Sequence, residues 1–349
     1  MRESFKSFVV NIDILVNYIN NHDILKGLIN QLRNQNGNFQ HKAISLQFNA
    51  PSMRVFEYNC YVISLYGYFE QFIESILTEY IDSISALHHE YNELPDEIKN
   101  NNIRKNADLL SNLELPKYRN IDAKSIIRML HDNTVENKTN INTTAFCHHS
   151  TNFRIGSICE YFKTVGVNDL GKEISRYEPL KTHFEESIGD YSHLTLTKLY
   201  EVIDELVERR NCIAHGMMSD DILSTNRILE ICTFTKTFAE SLDIFLNVEI
   251  LKRLFDESVH TSKKTFKKLE TINVFNKEIL CVKSNNLNIS KGSNIIVESA
   301  NVPSYYEAKI LSIQVQGDEI ESVTSEQSIN IGLKLDKRIK ITNSFYVVT

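Results

Sequence analysis

The chain contains no tryptophan and, across 349 residues, only 11 glycines and 5 prolines. So few helix breakers in so long a chain predict long helices. Its six cysteines (Cys60, Cys147, Cys159, Cys212, Cys232 and Cys281) include no CxxC pair and none at zinc-finger spacing from a histidine. That excludes a zinc ribbon or a dithiol redox centre and predicts isolated thiols in a reducing compartment. No apolar run approaches the roughly 18–20 residues needed to span a bilayer. The N-terminal stretch MRESFKSFVVNIDILVNYI breaks its apolar run with charge and polarity, so it does not read as a signal peptide, and a cytoplasmic protein is expected. Basic excess is also lacking. The net charge is −7, so contact with nucleic acid must come from a local site rather than from bulk charge. There is no GxxxxGK[ST] loop and no GxGxxG, which excludes a nucleotide-hydrolysing motor of those types. His88–His89 and His148–His149 have no carboxylate or cysteine at useful helical spacing. Neither a metal nor a cofactor is expected.

The sequence does have periodicity. Phe5, Phe8, Val9, Ile12, Leu15, Val16 and Ile19 recur at steps of three and four and predict a helix over 3–34. A second helix is predicted over 53–87, with Glu70 set among its apolar residues, a third over 194–215 and a fourth over 222–255. Residues 88–150 are polar, rich in asparagine, and read as an irregular insertion with short helical pieces. Ser150 and Thr151 read as caps for the amphipathic turns that follow. From about residue 272 the period drops to two, with turn signals SKGSN, VQGDE and ITNS between apolar runs. The expected architecture is a mainly α-helical bundle over 1–260, a linker over 261–271 that includes the basic KKTFKK, and a small all-β barrel over 272–349.

The most informative stretch is LVERRNCIAHGM, residues 206–217. Leu199, Ile203, Leu206, Arg210, Ile213 and Met217 step by four and three, a stripe that faces packed neighbours. Arg210 interrupts it, and a guanidinium there needs a carboxylate or a ligand anion. Glu70 is one candidate carboxylate. Asn211 and His215 are i and i+4, hence surface neighbours. Gly216 is a natural helix stop, which puts His215 at an open edge. Arg209 reads as a solvated face residue or a contact to an RNA backbone. Taken alone, these residues fit a structural ion pair and a capping histidine as well as a phosphate site.

ELVERRNCIAHG resembles the signature of the HEPN superfamily: Arg, a polar residue, three further residues, then His. Arg210, Asn211 and His215 fall on those positions. YVISLYGYFEQFIESILTEYI resembles the family's long second helix, with Phe69–Glu70 on its aromatic–Glu element. STNFRIGSICEYFKTVGV resembles the segment preceding the motif helix in the RiboL-PSP and MAE-type branches. The resemblance implies a bundle that pairs into a two-fold homodimer along the motif helix; the apolar face beside the interrupted stripe, Val207, Ala214 and Met218, is the surface expected to be covered. It also implies a metal-independent endoribonuclease, a toxin or anti-phage effector, that cuts RNA such as tRNA to 2′,3′-cyclic phosphate and 5′-OH ends. Arg210, Asn211 and His215 would be catalytic, with Glu70 and Arg209 in support. The alternative is a non-catalytic HEPN assembly or RNA-binding module. Either reading leaves a place for an antitoxin or defence-system partner protein. Where one HEPN branch has a modified tyrosine two residues after the histidine, this chain has Met217, so that regulation is not carried over. The C-terminal part more loosely resembles the second-domain barrel of translation factors, which implies a tRNA or ribosomal-RNA contact or, equally, a protein-docking barrel.

Overall fold

The computed structural model describes residues 2–33, 51–216, 221–260, 266–284, 287–325 and 329–348. They form two compact units, Met1–Asp243 and Ile244–Thr349.

The first unit is helical. Helix α1 (Glu3–Arg33) and helix α2 (Pro51–Leu87) run antiparallel. Phe8 stacks on Phe72 at 4.8 Å between ring centroids, while Tyr18 meets Tyr61 edge-on at 6.2 Å. Burying the apolar stripes of both helices supplies the main driving force for this half of the bundle. Tyr58, Val62, Leu65, Tyr66, Phe69 and Ile73 are all buried on α2.

The insertion expected to be irregular is ordered. It holds α3 (Asp96–Ser111), α4 (Ala123–Thr134) and α5 (Thr143–Cys147). Its asparagines are part of the reason. Asn102 and Asn106 are fully buried, and their amides form a ladder. Asn142 Nδ2 donates to Asn106 Oδ1 at 2.7 Å, and Asn106 Nδ2 donates to Asn102 Oδ1 at 2.9 Å. Asn102 Nδ2 in turn reaches the Tyr91 hydroxyl at 3.2 Å. A polar composition here reports a satisfied internal network rather than a loop.

Then follow α6 (Ile155–Lys163), α7 (Leu170–Ile174), α8 (Leu180–Ser187), α9 (Leu196–Leu199), α10 (Glu201–Ala214) and α11 (Thr225–His260). Ser150 and Thr151 do not cap α6; its N-cap is Arg154, without a side-chain cap bond. The helix expected over 194–215 is broken at Tyr200 (φ −108°, ψ 24°). The break turns a buried tyrosine onto the Phe238 ring (5.9 Å) and lets its hydroxyl donate to the Gly171 carbonyl at 2.6 Å.

The second unit begins within α11 and continues as a curled antiparallel sheet. Its strands are β1 (Phe266–Lys268), β2 (Glu270–Phe275), β3 (Ile279–Ser284), β4 (Leu287–Ser290), β5 (Asn294–Glu298), β6 (Tyr305–Val315), β7 (Asp318–Ile320), β8 (Ser322–Ser325), β9 (Ile329–Leu335) and β10 (Ser344–Val348). Strand β1, and the start of β2, thus fall inside the stretch expected to be linker. The order is β1-β10-β5-β6-β9-β3-β2, with β7 on β6 and a separate β4–β8 pair. Long β6 pairs with β5 over Tyr305–Lys309 and with β9 from Ile310 on, across a register shift at Ile310/Ser312. Such a shift increases strand bending and twist. The concave core includes Ala308, Ile310, Ile313, Leu333 and Phe345. The β6–β7 hairpin turns on Gln316 (φ +53°) and Gly317 (φ +99°), two left-handed positions, and the second is glycine as such turns favour.

Candidate functional site

Three pieces of chain meet around the motif: helix α2, the strap 148–155 that leads into α6, and helix α10. On α10, Asp204, Glu208 and Asn211 follow at i, i+4 and i+7, so one face meets the strap. The Ile155 amide donates to Asp204 Oδ1 at 3.2 Å, Arg154 Nη2 pairs with Glu208 Oε2 at 2.5 Å, and Asn152 Nδ2 donates to Asn211 Oδ1 at 2.8 Å.

Arg210 is half-buried, as its place on the apolar stripe predicts; Leu199, Ile203 and Leu206 of that stripe are buried. Its expected partner is not where it was placed. Among the described residues Arg210 makes no ion pair. Its guanidinium lies over the Tyr66 ring, 5.1 Å from the centroid, and Nη1 donates to Asn211 Oδ1 at 3.3 Å. A cation held on an aromatic face keeps its charge available to an anion.

Glu70 belongs to the same cluster but acts through Tyr66. The Tyr66 hydroxyl lies 3.3 Å from Glu70 Oε1 and 3.2 Å from Asn152 Oδ1, and it accepts from the buried Phe153 amide at 3.3 Å. Burial, then the charge of Glu70, pushes the Tyr66 phenol up to about 12. It therefore remains a neutral donor throughout the physiological range. Glu70 Oε1 also lies 4.0 Å from His149 Nε2, which bonds Glu74 Oε1 at 2.9 Å. So His149 does meet carboxylates, supplied by α2 rather than by its own segment. Among the described residues no group of three His, Cys, Asp or Glu side chains is placed to hold a metal ion.

His215 caps the C-terminus of α10 and is exposed, followed by Gly216 in the left-handed region (φ +68°). Among the described residues its side chain has no hydrogen-bond or ion-pair partner. Arg209 is not simply a solvated face residue: Nη2 pairs with Asp221 Oδ2 at 2.8 Å, tying the end of α10 to the segment before α11. Val207, expected on a dimer face, is fully buried inside the unit; a side chain already in the core cannot be an interface anchor. Met217 and Met218 lie outside the described residues.

The structure thus brings Arg210, Asn211 and Glu70 into one cluster and leaves His215 at its open edge. Sequence reasoning missed Tyr66, Asn152 and His149. A polar asparagine just ahead of a helix and a tyrosine four residues before Glu70 were the only signals available.

A model of the RiboL-PSP-HEPN family matches residues 16–248. Among curated proteins, none matches the chain.

Proposed function

The chain belongs to the RiboL-PSP-HEPN family, and from that premise we propose that it is a metal-independent endoribonuclease acting in the cytoplasm. The observation that carries this reading is Arg210, a half-buried guanidinium on Tyr66 with no carboxylate among the described residues, beside an exposed His215. RNA carries its own nucleophile. The 2′-oxygen forms a bond to phosphorus, the P–O5′ bond breaks, and a 2′,3′-cyclic phosphate and a 5′-OH result. One His215 accepts the 2′-OH proton and the His215 of a second copy protonates the leaving 5′-oxygen. Arg210 neutralises charge on the phosphoryl oxygens with a forked contact. Asn211, bonded to Asn152 and Arg210, positions rather than reacts. We place the homodimer contact on α1 and α2, away from Val207. Ile14, Tyr18, Leu25, Leu28, Phe56 and Ile63 are all exposed there. Exposed apolar side chains gathered on two helices that pack together are the kind of surface that marks a protein contact. Ile63 is one turn from Tyr66, so a partner on this strip borders the Arg210 stack. The β unit would select the RNA, such as tRNA, and a toxin or anti-phage role would show as growth arrest on expression.

One observation favours the second reading, a non-catalytic RNA-binding module: His215 has no orienting partner among the described residues. A single assay separates the two. Purified chain should cut RNA in EDTA and leave 2′,3′-cyclic phosphate ends. His215→Ala should lower the rate by about 10²-fold or more, and Arg210→Lys should be impaired because an ammonium cannot fork. Binding without cutting in the unaltered chain would establish the module instead.

A further inference from the structure

The strap also borders a concavity. It has a volume of about 810 Å³ and is bounded by α3, the strap and α6, with Arg104, Lys105, His148, Ser157 and Tyr161 on its walls. Its chemistry is unbalanced at Lys105. The ammonium is half-buried and carries three donors, yet among the described residues its polar contacts are one long approach to the His148 carbonyl, 3.5 Å, and the Tyr161 ring, 5.9 Å to the centroid. Among the described residues no carboxylate lies within ion-pair distance of it. Among the described residues the adjacent Arg104 meets only the Asn101 side-chain oxygen, at 2.9 Å. Lys117 sits over the Tyr118 ring at 4.9 Å, and that tyrosine's hydroxyl holds His148 Nδ1 at 2.5 Å.

Two acids also line the space. Glu160 is exposed and pairs outward with Lys163 at 3.7 Å. Asp108 is exposed and makes no ion pair among the described residues. Burial, then the charge of Arg104, pulls the Lys105 ammonium below its ordinary range, and Asp108 restores only part of that. A desolvated, underbonded cation beside a second cation is what an anion would relieve.

We propose that this cavity is a phosphate subsite, in which Lys105 and Arg104 take the phosphate of a nucleic-acid strand or of a free nucleotide. The strand source rests on the endoribonuclease reading; the phosphate site does not. Geometry links the two regions. The strap that walls the cavity with His148 and Phe153 also carries Asn152, bonded to Asn211. Four residues from His148 to Asn152 span at most about 14 Å, so one single strand reaches both places.

The test uses the full chain with three probes: a 2′-O-methyl RNA oligonucleotide, which lacks the attacking hydroxyl, AMP, and inorganic phosphate. Affinities are measured for the unaltered chain, Lys105→Gln, the Lys105→Gln/Arg104→Gln double variant and Lys105→Arg, with thermal melts to establish folding. The double variant should bind the strand about 10–100-fold more weakly. Its slope of log affinity against log salt should fall by roughly 0.7 for each phosphate contact removed. Lys105→Arg, which keeps the charge, should bind like the unaltered chain. Loss confined to the oligonucleotide assigns the site to a strand phosphate; loss that extends to AMP and phosphate assigns it to a free nucleotide. Unchanged affinity for all three probes in the folded double variant overturns the proposal. The outcomes are separable from the parent reading. If the unaltered chain fails to cut ordinary RNA yet the double variant loses binding, the nuclease reading falls and the subsite stands. If it cuts and no affinity changes, the reverse holds.

Discussion

Tyr66 offers the sharpest test of the site, because its ring and its hydroxyl do different things. Tyr66→Phe keeps the ring beneath the Arg210 guanidinium, 5.1 Å away, and deletes only the oxygen. That oxygen accepts from the buried Phe153 amide at 3.3 Å and lies within bonding distance of Glu70 and Asn152. Leaving a buried amide without a partner costs about 1–3 kcal/mol. For a unit of roughly 240 residues each kcal/mol lowers Tm by about 2–4 °C, so the expected fall is about 2–12 °C. RNA cleavage should survive, since the stack remains. Tyr66→Leu removes the stack as well. It should lose a further 0.5–2 kcal/mol or so of cation–π attraction, open space beside Arg210, and cut much more slowly than Tyr66→Phe at equal fraction folded. The assay is paired: urea melts followed by circular dichroism, and single-turnover cleavage of one RNA. A Tyr66→Phe protein as stable as the unaltered chain would show that the hydroxyl is not the node described. Equal cleavage by the Phe and Leu variants would show that the ring does not hold Arg210.

Asn106→Ala should destabilise by about 3–5 kcal/mol, since it strands Asn142 Nδ2 and Asn102 Oδ1 in the interior; an urea-melt change under 1 kcal/mol would contradict the buried ladder. Burial lowers the pKa of His148 and of His183 from the ordinary value near 6.5. The unfolded chain then binds more protons around that pH, so stability should fall as pH drops through 6.5. His183→Gln should flatten that slope, and an unchanged slope between pH 7.5 and 5.5 would remove His183 from the account. Phe56→Glu places a charge on the exposed strip of α2; light scattering at micromolar concentration should move from dimer to monomer, and a monomeric unaltered chain would refute the proposed contact.

What the sequence made legible follows from range. The helices α1, α2 and α11 and the period-two C-terminal strands show themselves in local spacing, and Gly216 marks the end of α10. The Arg210 interruption is also local, and it correctly signalled an arginine held at a half-buried place. Its partner was not legible, because the contact that matters is an aromatic face 144 residues away on α2 rather than a carboxylate. Tyr66 sits in a run of core aromatics and looks like one more of them. Asn152 lies 59 residues from Asn211, and nothing in its neighbours distinguishes it from a loop asparagine. The insertion misled for a related reason: asparagine favours turns locally, but Asn102, Asn106 and Asn142 satisfy one another across helices. The break at Tyr200 is likewise a tertiary demand of the Gly171 carbonyl and the Phe238 ring, invisible to a periodicity that runs smoothly through it.

The Asn152–Asn211 contact joins two uncharged amides. Neither titrates, and neither is screened by salt, whereas the neighbouring Arg154–Glu208 pair is half-exposed and contributes little. At Asn211 the alignment of α10 against the strap therefore rests on a bond that salt and pH leave alone, while two turns earlier the Ile155 amide bonds the charged Asp204 carboxylate. An ionic-strength titration of RNA affinity will then read mainly the phosphate contacts, since the amide pair that seats Asn211 beside Arg210 does not loosen with salt. The same chain can be assayed from dilute buffer to high salt as one unaltered instrument.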